Sequence, residues 1–281
     1  MIVLHTLSEY RNLRRNFSSE EQTVGFVPTM GALHEGHLSL VEQSKRENDR
    51  TVVSIFVNPL QFNNAEDYEK YPLTLKKDIQ LLESVGCDIL FAPSKDAMYP
   101  RPVELQMEFG AITSAMEGAS RPGHFSGVGV VVSKLFNIIQ PTRAYFGQKD
   151  IQQLCVIRQL VEDLNFPIQI VSCPIARNEK GLALSSRNQR LSPEGLELAS
   201  QLYRTLIITA EQSTLTTPQQ AISVGLQYLK NYPDIRLDYL EIVDTIQLKS
   251  LSSFTVREPF VICIAAYVEG VRLIDNLIIQ A

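Results

Sequence analysis

Two histidines, His34 and His37, lie three positions apart in FVPTMGALHEGHLSL, residues 26–40, with Glu35 and Gly36 between them and an apolar run just before. Imidazoles in that arrangement point to one of three chemistries: a zinc site, an altered phosphate-binding loop, or a pair of hydrogen-bond donors aimed at the phosphates of a nucleotide. Zinc fails on geometry, because H-E-x-x-H sets its histidines one residue farther apart on an unbroken helix, whereas Gly36 interrupts here. His5, His124 and the scattered cysteines supply no third ligand at a motif spacing. The stretch GALHEGHL keeps the glycines of G-x-x-x-x-G-K-[ST] but carries His37 and Leu38 where lysine and a hydroxyl are required. It therefore lacks the permanent charge for phosphate and the oxygen for magnesium.

Paired donors account for each oddity. A strand over residues 24–27 ends at Pro28, a glycine-bearing turn follows, and a helix begins near Gly36 with its free N–H groups and positive end turned to the strand-end crevice. Gly36 has no Cβ, so a nucleotide can lie against the backbone. His34 and His37 then share one helical face. Surface histidines at a helix start are the plainer reading. Against it, two of the chain's four histidines sit here, and a third, His124, lies in another polar, glycine-rich stretch, RPGHFSGVG.

These loops need a frame. The chain has 281 residues, 44% of them hydrophobic, enough to bury a sizeable core in two domains. From residue 24 to about 175, β-branched runs (TVGFV, TVVSIFV, CDILFAP, RAYFG, PIQIVSCPI) alternate with helical periodicity in HLSLVEQSKREND, TLKKDIQLLESVG, GVVVSKLFNIIQ and DIQQLCVIRQLVEDLN. That alternation predicts a Rossmann-like parallel sheet covered on both faces, an α/β domain over residues 1–176. In such sheets ligands bind beyond the carboxyl ends of the strands. Past Ala176 two helical segments precede the strand-like runs LDYLEIVD, FVICIAAYVEG and VRLIDNLII, which predicts a smaller C-terminal α+β domain over residues 177–281.

Composition narrows the partners. A formal net charge of −5 recruits neither nucleic acid nor an anionic membrane, so an anionic ligand needs a locally positive pocket. No run nears the about 20 apolar residues of a membrane span. MIVLHTLSEYRNLRR has no apolar core leading to a small-residue cleavage site, so the chain reads as cytoplasmic. Cys87, Cys155, Cys173 and Cys263 form no C-x-x-C pair and sit in apolar surroundings, as buried thiols do.

Three further loops follow strands or the domain boundary. NPLQFNN, with Asn58 and Gln61, presents amides beside apolar walls, suited to a hydroxylated or carboxylated small molecule. FGQKDIQQL brings Lys149 as a compact positive charge. Its Asp150 either caps the next helix or holds a ribose hydroxyl, and Gln153 lies one turn on. LALSSRN supplies Ser185, Ser186 and Arg187 at the boundary, where a second domain can close a phosphate clamp. GVGVVV is a fragment of a dinucleotide fingerprint and reads as packing at a helix start.

With these residues assembled, the chain resembles the pantothenate synthetases, the pantoate–β-alanine ligases of the H-x-G-H nucleotidyltransferase superfamily. The likeness runs nearly end to end through PTMGALHEGH, FVNPLQF, EDYEKYP, RPGHFSGV, YFGQKDIQQL, GLALSSRN and RLIDN. It implies ATP-dependent joining of pantoate to β-alanine through a pantoyl adenylate, with magnesium, in a homodimer. Carried over by motif, Met30, Gly31, Ala32, Leu33, His34, Glu35, Gly36 and His37 would contact ATP, the histidines on its phosphates. Gly147, Gln148, Lys149 and Asp150 would continue the nucleotide site, and Ala176, Leu184, Ser185, Ser186 and Arg187 would complete it. Of these, His34, His37, Lys149, Ser185, Ser186 and Arg187 are the expected catalytic donors. Gln61 and Gln153 would hold pantoate, with Asn58 lining the same pocket.

Gln148, Lys180 and Leu73 depart from the residues the family favours there, glutamate, aspartate and arginine. The resemblance assigns no protein ligand to magnesium; Asp78 is one candidate holder and ATP itself the other. Two alternatives stay open on the residues alone. An enzyme that transfers a whole nucleotide to a phosphorylated acceptor would want extra arginines or lysines where NPLQF has neutral amides. A regulatory module would bind ATP and do no chemistry.

Overall fold

Each β-branched run of the first half becomes a strand and each periodic run a helix, in a computed structural model that describes residues 1–15, 17, 22–255 and 257–280. The order is β1 (Ile2–Leu4), α1 (Leu7–Arg15), β2 (Val24–Thr29), α2 (Glu35–Glu47), β3 (Arg50–Ile55), α3 (Ala65–Glu69), α4 (Leu75–Ser84), β4 (Ile89–Phe91) and α5 (Lys95–Met98). Next come α6 (Met116–Ser120), α7 (His124–Ile139), β5 (Arg143–Gly147), α8 (Ile151–Asp163) and β6 (Gln169–Cys173). The chain then forms α9 (Pro193–Ser213), α10 (Pro218–Leu229), β7 (Arg236–Asp244), β8 (Phe260–Val268) and β9 (Val271–Ile279).

Met1–Gly147 and Val156–Cys173 make up one compact unit; Gln148–Cys155 and Pro174–Ala281 make up the other. Compared with an expected boundary after residue 176, the chain passes over at Cys173, and the short segment Gln148–Cys155 packs with the second unit. Side chains far along the sequence hold that segment, so no local pattern marks it.

In the first unit the strands lie in the order β1-β4-β3-β2-β5-β6, all their described pairings parallel. β3 and β4 extend the sheet to one side of β2, β5 and β6 to the other, so the topological switch falls between β2 and β5. Both faces are covered, as continuous β-branched runs require. Val27, Val53 and Leu90 pack with Leu40 and Val41 of α2 and Leu82 of α4 on one face. On the other, Phe26 meets Phe136 of α7, and Tyr10 of α1 meets Phe91. β1 has only three residues, too few to show a period, and pairs with β4 at the sheet edge.

The second unit is α+β, as its pattern predicts. β7, β8 and β9 form an antiparallel sheet with β8 central and almost wholly buried. α9 starts at Ser192, whose hydroxyl accepts from the Gly195 N–H, with proline in the first turn; α10 starts in a capping box of Thr217 and Gln220. Leu202 and Leu206 of α9 and Ala221 of α10 pack onto Ile262 and Ile264 of the sheet. All four cysteines are buried thiols, and burial pushes Cys87 up to about 11 and Cys173 up to about 12.

GVGVVV does pack at a helix start. A Cβ on Gly127 would lie 2.2 Å from the carbonyl oxygen of Leu60 and 2.7 Å from the Gln61 nitrogen, both backbone atoms that cannot swing aside. Gly127→Ala is therefore expected to destabilise the protein by about 1–3 kcal/mol through overpacking, more than the up to about 1 kcal/mol that alanine adds in helix propensity. Urea denaturation checks this; an unchanged or raised midpoint would show that the two backbones separate freely.

Candidate active site

The histidine pair heads α2. His34 is the helix N-cap, and its ring Nδ1 accepts from the Gly36 N–H at 3.2 Å, so the neutral imidazole carries its proton on Nε2. The His34 carbonyl accepts from the N–H groups of His37 and Leu38. Several first-turn amides expected to face a ligand are thus taken up by His34 itself; the positive end of the helix remains. The two rings lie 4.1 Å apart, on one face as their spacing predicts, and Glu35 between them is exposed.

Upstream, the turn is built on left-handed backbone: Gly31 has φ +82° and Ala32 φ +50°. That shape points the N–H groups of Ala32 and Leu33 inward, away from any ladder or helix. Asp78 of α4, 1% exposed, accepts both, at 3.1 Å on Oδ2 and 2.9 Å on Oδ1, and the Thr74 hydroxyl donates to Oδ2. Thr29 adds a brace, its hydroxyl donating to the Ser54 carbonyl and accepting from the Gly31 N–H. Met30, half-buried, accepts a hydrogen bond on its sulfur from Gln61 Nε2 at 3.1 Å.

Gln61 closes a 3-10 turn, Pro59–Gln61, after β3. Its Oε1 accepts from Asn58 Nδ2, which also donates to the Gly127 carbonyl, while Asn58 Oδ1 accepts from Leu60 N and the Tyr99 hydroxyl. Asn58, 1% exposed, thus has its amide engaged by protein groups and orients Gln61. His124, counted in the sequence beside the histidine pair, is buried and donates from Nδ1 to the Gln61 carbonyl at 2.8 Å. Met30 and Gln61 therefore meet beyond the carboxyl ends of β2 and β3, and the turn that follows Met30 leads to the imidazole pair.

The remaining candidates, apart from Gly147 at the end of β5, fall in the second unit. Gln148–Asp150 is a 3-10 turn with Lys149 half-buried and Asp150 exposed, and Gln153 lies half-buried in the first turn of α8. Ser185 caps a second 3-10 turn, Ser186–Arg190, its hydroxyl accepting from the Arg187 N–H. Ala176 and Leu184 face each other across a tight hairpin, the Leu184 N–H donating to the Ala176 carbonyl. Lys149, Ser185, Arg187, Asn188 and Asp275 line one small surface cleft. Lys149, Arg187 and Arg272 thus share this cleft with a buried carboxylate.

That carboxylate, Asp275, takes a bidentate pair from Arg177 at 2.6 and 2.9 Å, and the guanidinium lies 3.9 Å above the Tyr203 ring. Burial pushes the Asp275 carboxyl up, against the hydrogen bonds and charge of Arg177. Lys180, one departure from the family pattern, is ion-paired with Glu197 of α9, which offsets its charge; Leu73, another, is 84% exposed. Among the described residues no group of three or more His, Cys, Asp or Glu is arranged to hold a metal ion. The supporting roles of Asp78 and Asp275 have no local signature in the sequence, although RLIDN is a visible motif to which the spacing gives no role.

Asp78→Asn replaces one acceptor of the turn by a donor facing another N–H. A loss of about 1–3 kcal/mol is expected, the cost of stranding a buried amide. Hydrogen exchange should show the Ala32 and Leu33 amides deprotected, and full protection in the variant would mean that the turn holds itself.

The model of the family described as pantoate-beta-alanine ligase matches residues 2–278. A pantothenate synthetase of Cytophaga hutchinsonii is 50% identical over 279 residues, covering 98% of this chain and 99% of the relative. The crystal structure of pantothenate synthetase from Thermus thermophilus superposes with a TM-score of 0.90 at 46% identity, covering 99% of each chain. A pantoate-beta-alanine ligase from Francisella tularensis, complexed with "Beta-gamma ATP" and beta-alanine, reaches 0.81 at 38% identity over 99% of this chain and 97% of its own. Likeness of this extent, from the first strand to the last, makes the chain a member of the pantoate–beta-alanine ligase family.

Proposed function

We propose that the chain joins pantoate to β-alanine in two ATP-dependent steps, releasing pyrophosphate as pantoyl adenylate forms and AMP as β-alanine displaces it. The observation that carries this reading is the imidazole pair at the head of α2, rings 4.1 Å apart, beyond the strand at the switch point of a parallel sheet. Family membership and the Francisella relative's complex with an ATP-type ligand and beta-alanine support it.

The first step needs no protein base, since a carboxylate with a pKa of about 4 is ionised at neutral pH. Its obstacle is electrostatic: an anion must approach a triphosphate. His34, His37, Lys149, Ser185, Ser186 and Arg187 are the donors that would offset this repulsion and stabilise the charge that moves onto the departing pyrophosphate. Met30 to Gly36, Gly147, Gln148, Asp150, Ala176 and Leu184 would contact the rest of ATP. Gln61 and Gln153 would hold pantoate, Asn58 keeping the Gln61 amide aimed. Magnesium would enter on ATP as part of the substrate, since the oxygens of Asp78 already accept from the Ala32 and Leu33 amides.

In the second step the amine of β-alanine, with a pKa like the about 10 of lysine, gives its proton to a histidine, a phosphate oxygen or solvent and attacks the acyl carbon; the acyl–phosphate bond breaks and AMP leaves with the electron pair. A mixed anhydride is destroyed by water, so exclusion of solvent is part of the task. The family resemblance also supports a cytoplasmic homodimer.

His37→Ala and Lys149→Ala are each expected to slow pyrophosphate release from ATP and pantoate by about two orders of magnitude or more, the scale of losing a transition-state donor. Folded variants that turn over at the wild-type rate would remove those roles. Gln61→Ala is expected chiefly to raise the KM for pantoate, and an unchanged pantoate requirement would count against its assignment. ATP binding by the wild-type protein without any pantoate-dependent pyrophosphate would favour the regulatory module instead.

A further inference from the structure

RLIDN, residues 272–276, has no part in the chemistry proposed above, yet its last two residues reach both cation-bearing loops of the second unit. Successive side chains of β9 leave on opposite faces of the strand. Asp275 takes Arg177, which also donates to the carbonyls of Gly181 and Asn276 and so ties down the hairpin leading to Ser185 and Arg187. Asn276, 1% exposed, donates from Nδ2 to the carbonyls of Gln148 and Lys149, both at 2.9 Å, while its Oδ1 accepts from Gln148 Nε2 at 3.2 Å. One amide thus pins the backbone of two consecutive residues in a turn of three. Those carbonyls belong to a short 3-10 turn, where the backbone has few hydrogen bonds of its own.

We propose that Asn276 is a positioning residue: its carboxamide, fixed on β9 beside the Arg177–Asp275 pair, sets where the Lys149 ammonium stands relative to Ser185 and Arg187. The inference rests on the reading of Lys149 as a phosphate donor. Only an amide fits this post. Both bonded backbone groups are acceptors, so the side chain must offer two N–H bonds from one atom, and its remaining oxygen must accept from Gln148. Aspartate has the same shape but would turn an acceptor toward two carbonyl oxygens.

The experiment compares Asn276→Asp, Asn276→Ala and Lys149→Ala, singly and with the alanines combined, by pyrophosphate release. Asn276→Asp is expected to lower kcat by about 10- to 100-fold, the scale of a donor displaced by an ångström, with the KM for pantoate unchanged. In the Lys149→Ala background, Asn276→Ala should cost no more than about twofold further, because the side chain it positions is already gone. An equal loss in both backgrounds, or an unaltered kcat in Asn276→Asp, would overturn the proposal. Should the Asn276 variants fail to fold, Gln148→Ala removes one of the three bonds from a half-buried side chain and should give a smaller kcat loss with the same non-additivity; additive behaviour would again overturn it. Hydrogen exchange at residues 148–151 reads the clamp without catalysis: faster exchange in Asn276→Asp is expected, and unchanged exchange defeats the inference. A wild-type protein that releases no pyrophosphate while those amides still loosen would refute the parent reading and leave the clamp standing.

Discussion

Two backbone N–H groups, on Ala32 and Leu33, point away from every strand and helix because the turn before them is left-handed, and a single buried carboxylate satisfies both. An unpaired buried amide costs enough to reshape a loop. With Asp78 in place the chain can leave β2, reverse over Gly31 and Ala32, and deliver His34 to the first turn of α2 as its cap. Everything proposed for the imidazole pair presupposes that turn. The same device recurs in the second unit, where Asn276 supplies the donors that the carbonyls of Gln148 and Lys149 lack. In each case a rigid element lends one side chain to a loop that cannot hold its own backbone.

Much of the frame was readable in advance, for reasons that lie in periodicity. β-branched runs alternating with amphipathic ones can bury themselves only as a parallel sheet with helices on both faces, and the loops that follow its strands are where polar residues without a packing role collect. The start of α2 was readable too, since Gly36 and the flanking histidines break the apolar pattern at that point. The three-residue β1 was not, having no room for a pattern.

The supports of the site were hidden for a different reason. Asp78 acts on residues 45 and 46 positions away, and Asn276 on residues 127 and 128 positions away. A side chain bonded to a distant backbone leaves no local spacing to find. His124 shows the converse: its glycine-rich surroundings invited a ligand role, yet its ring is buried against the carbonyl of Gln61. Rarity of a residue type cannot distinguish an imidazole that meets substrate from one that holds the loop beneath it.

The four thiols have a practical corollary. Cys87 and Cys173 lie in the first unit, Cys155 and Cys263 in the second, all inside packed cores and, for the first pair, held in the unreactive protonated form by their surroundings. A maleimide reagent meets them only when the chain opens. Labelling followed residue by residue therefore counts the breathing of each unit separately, with no engineered probe.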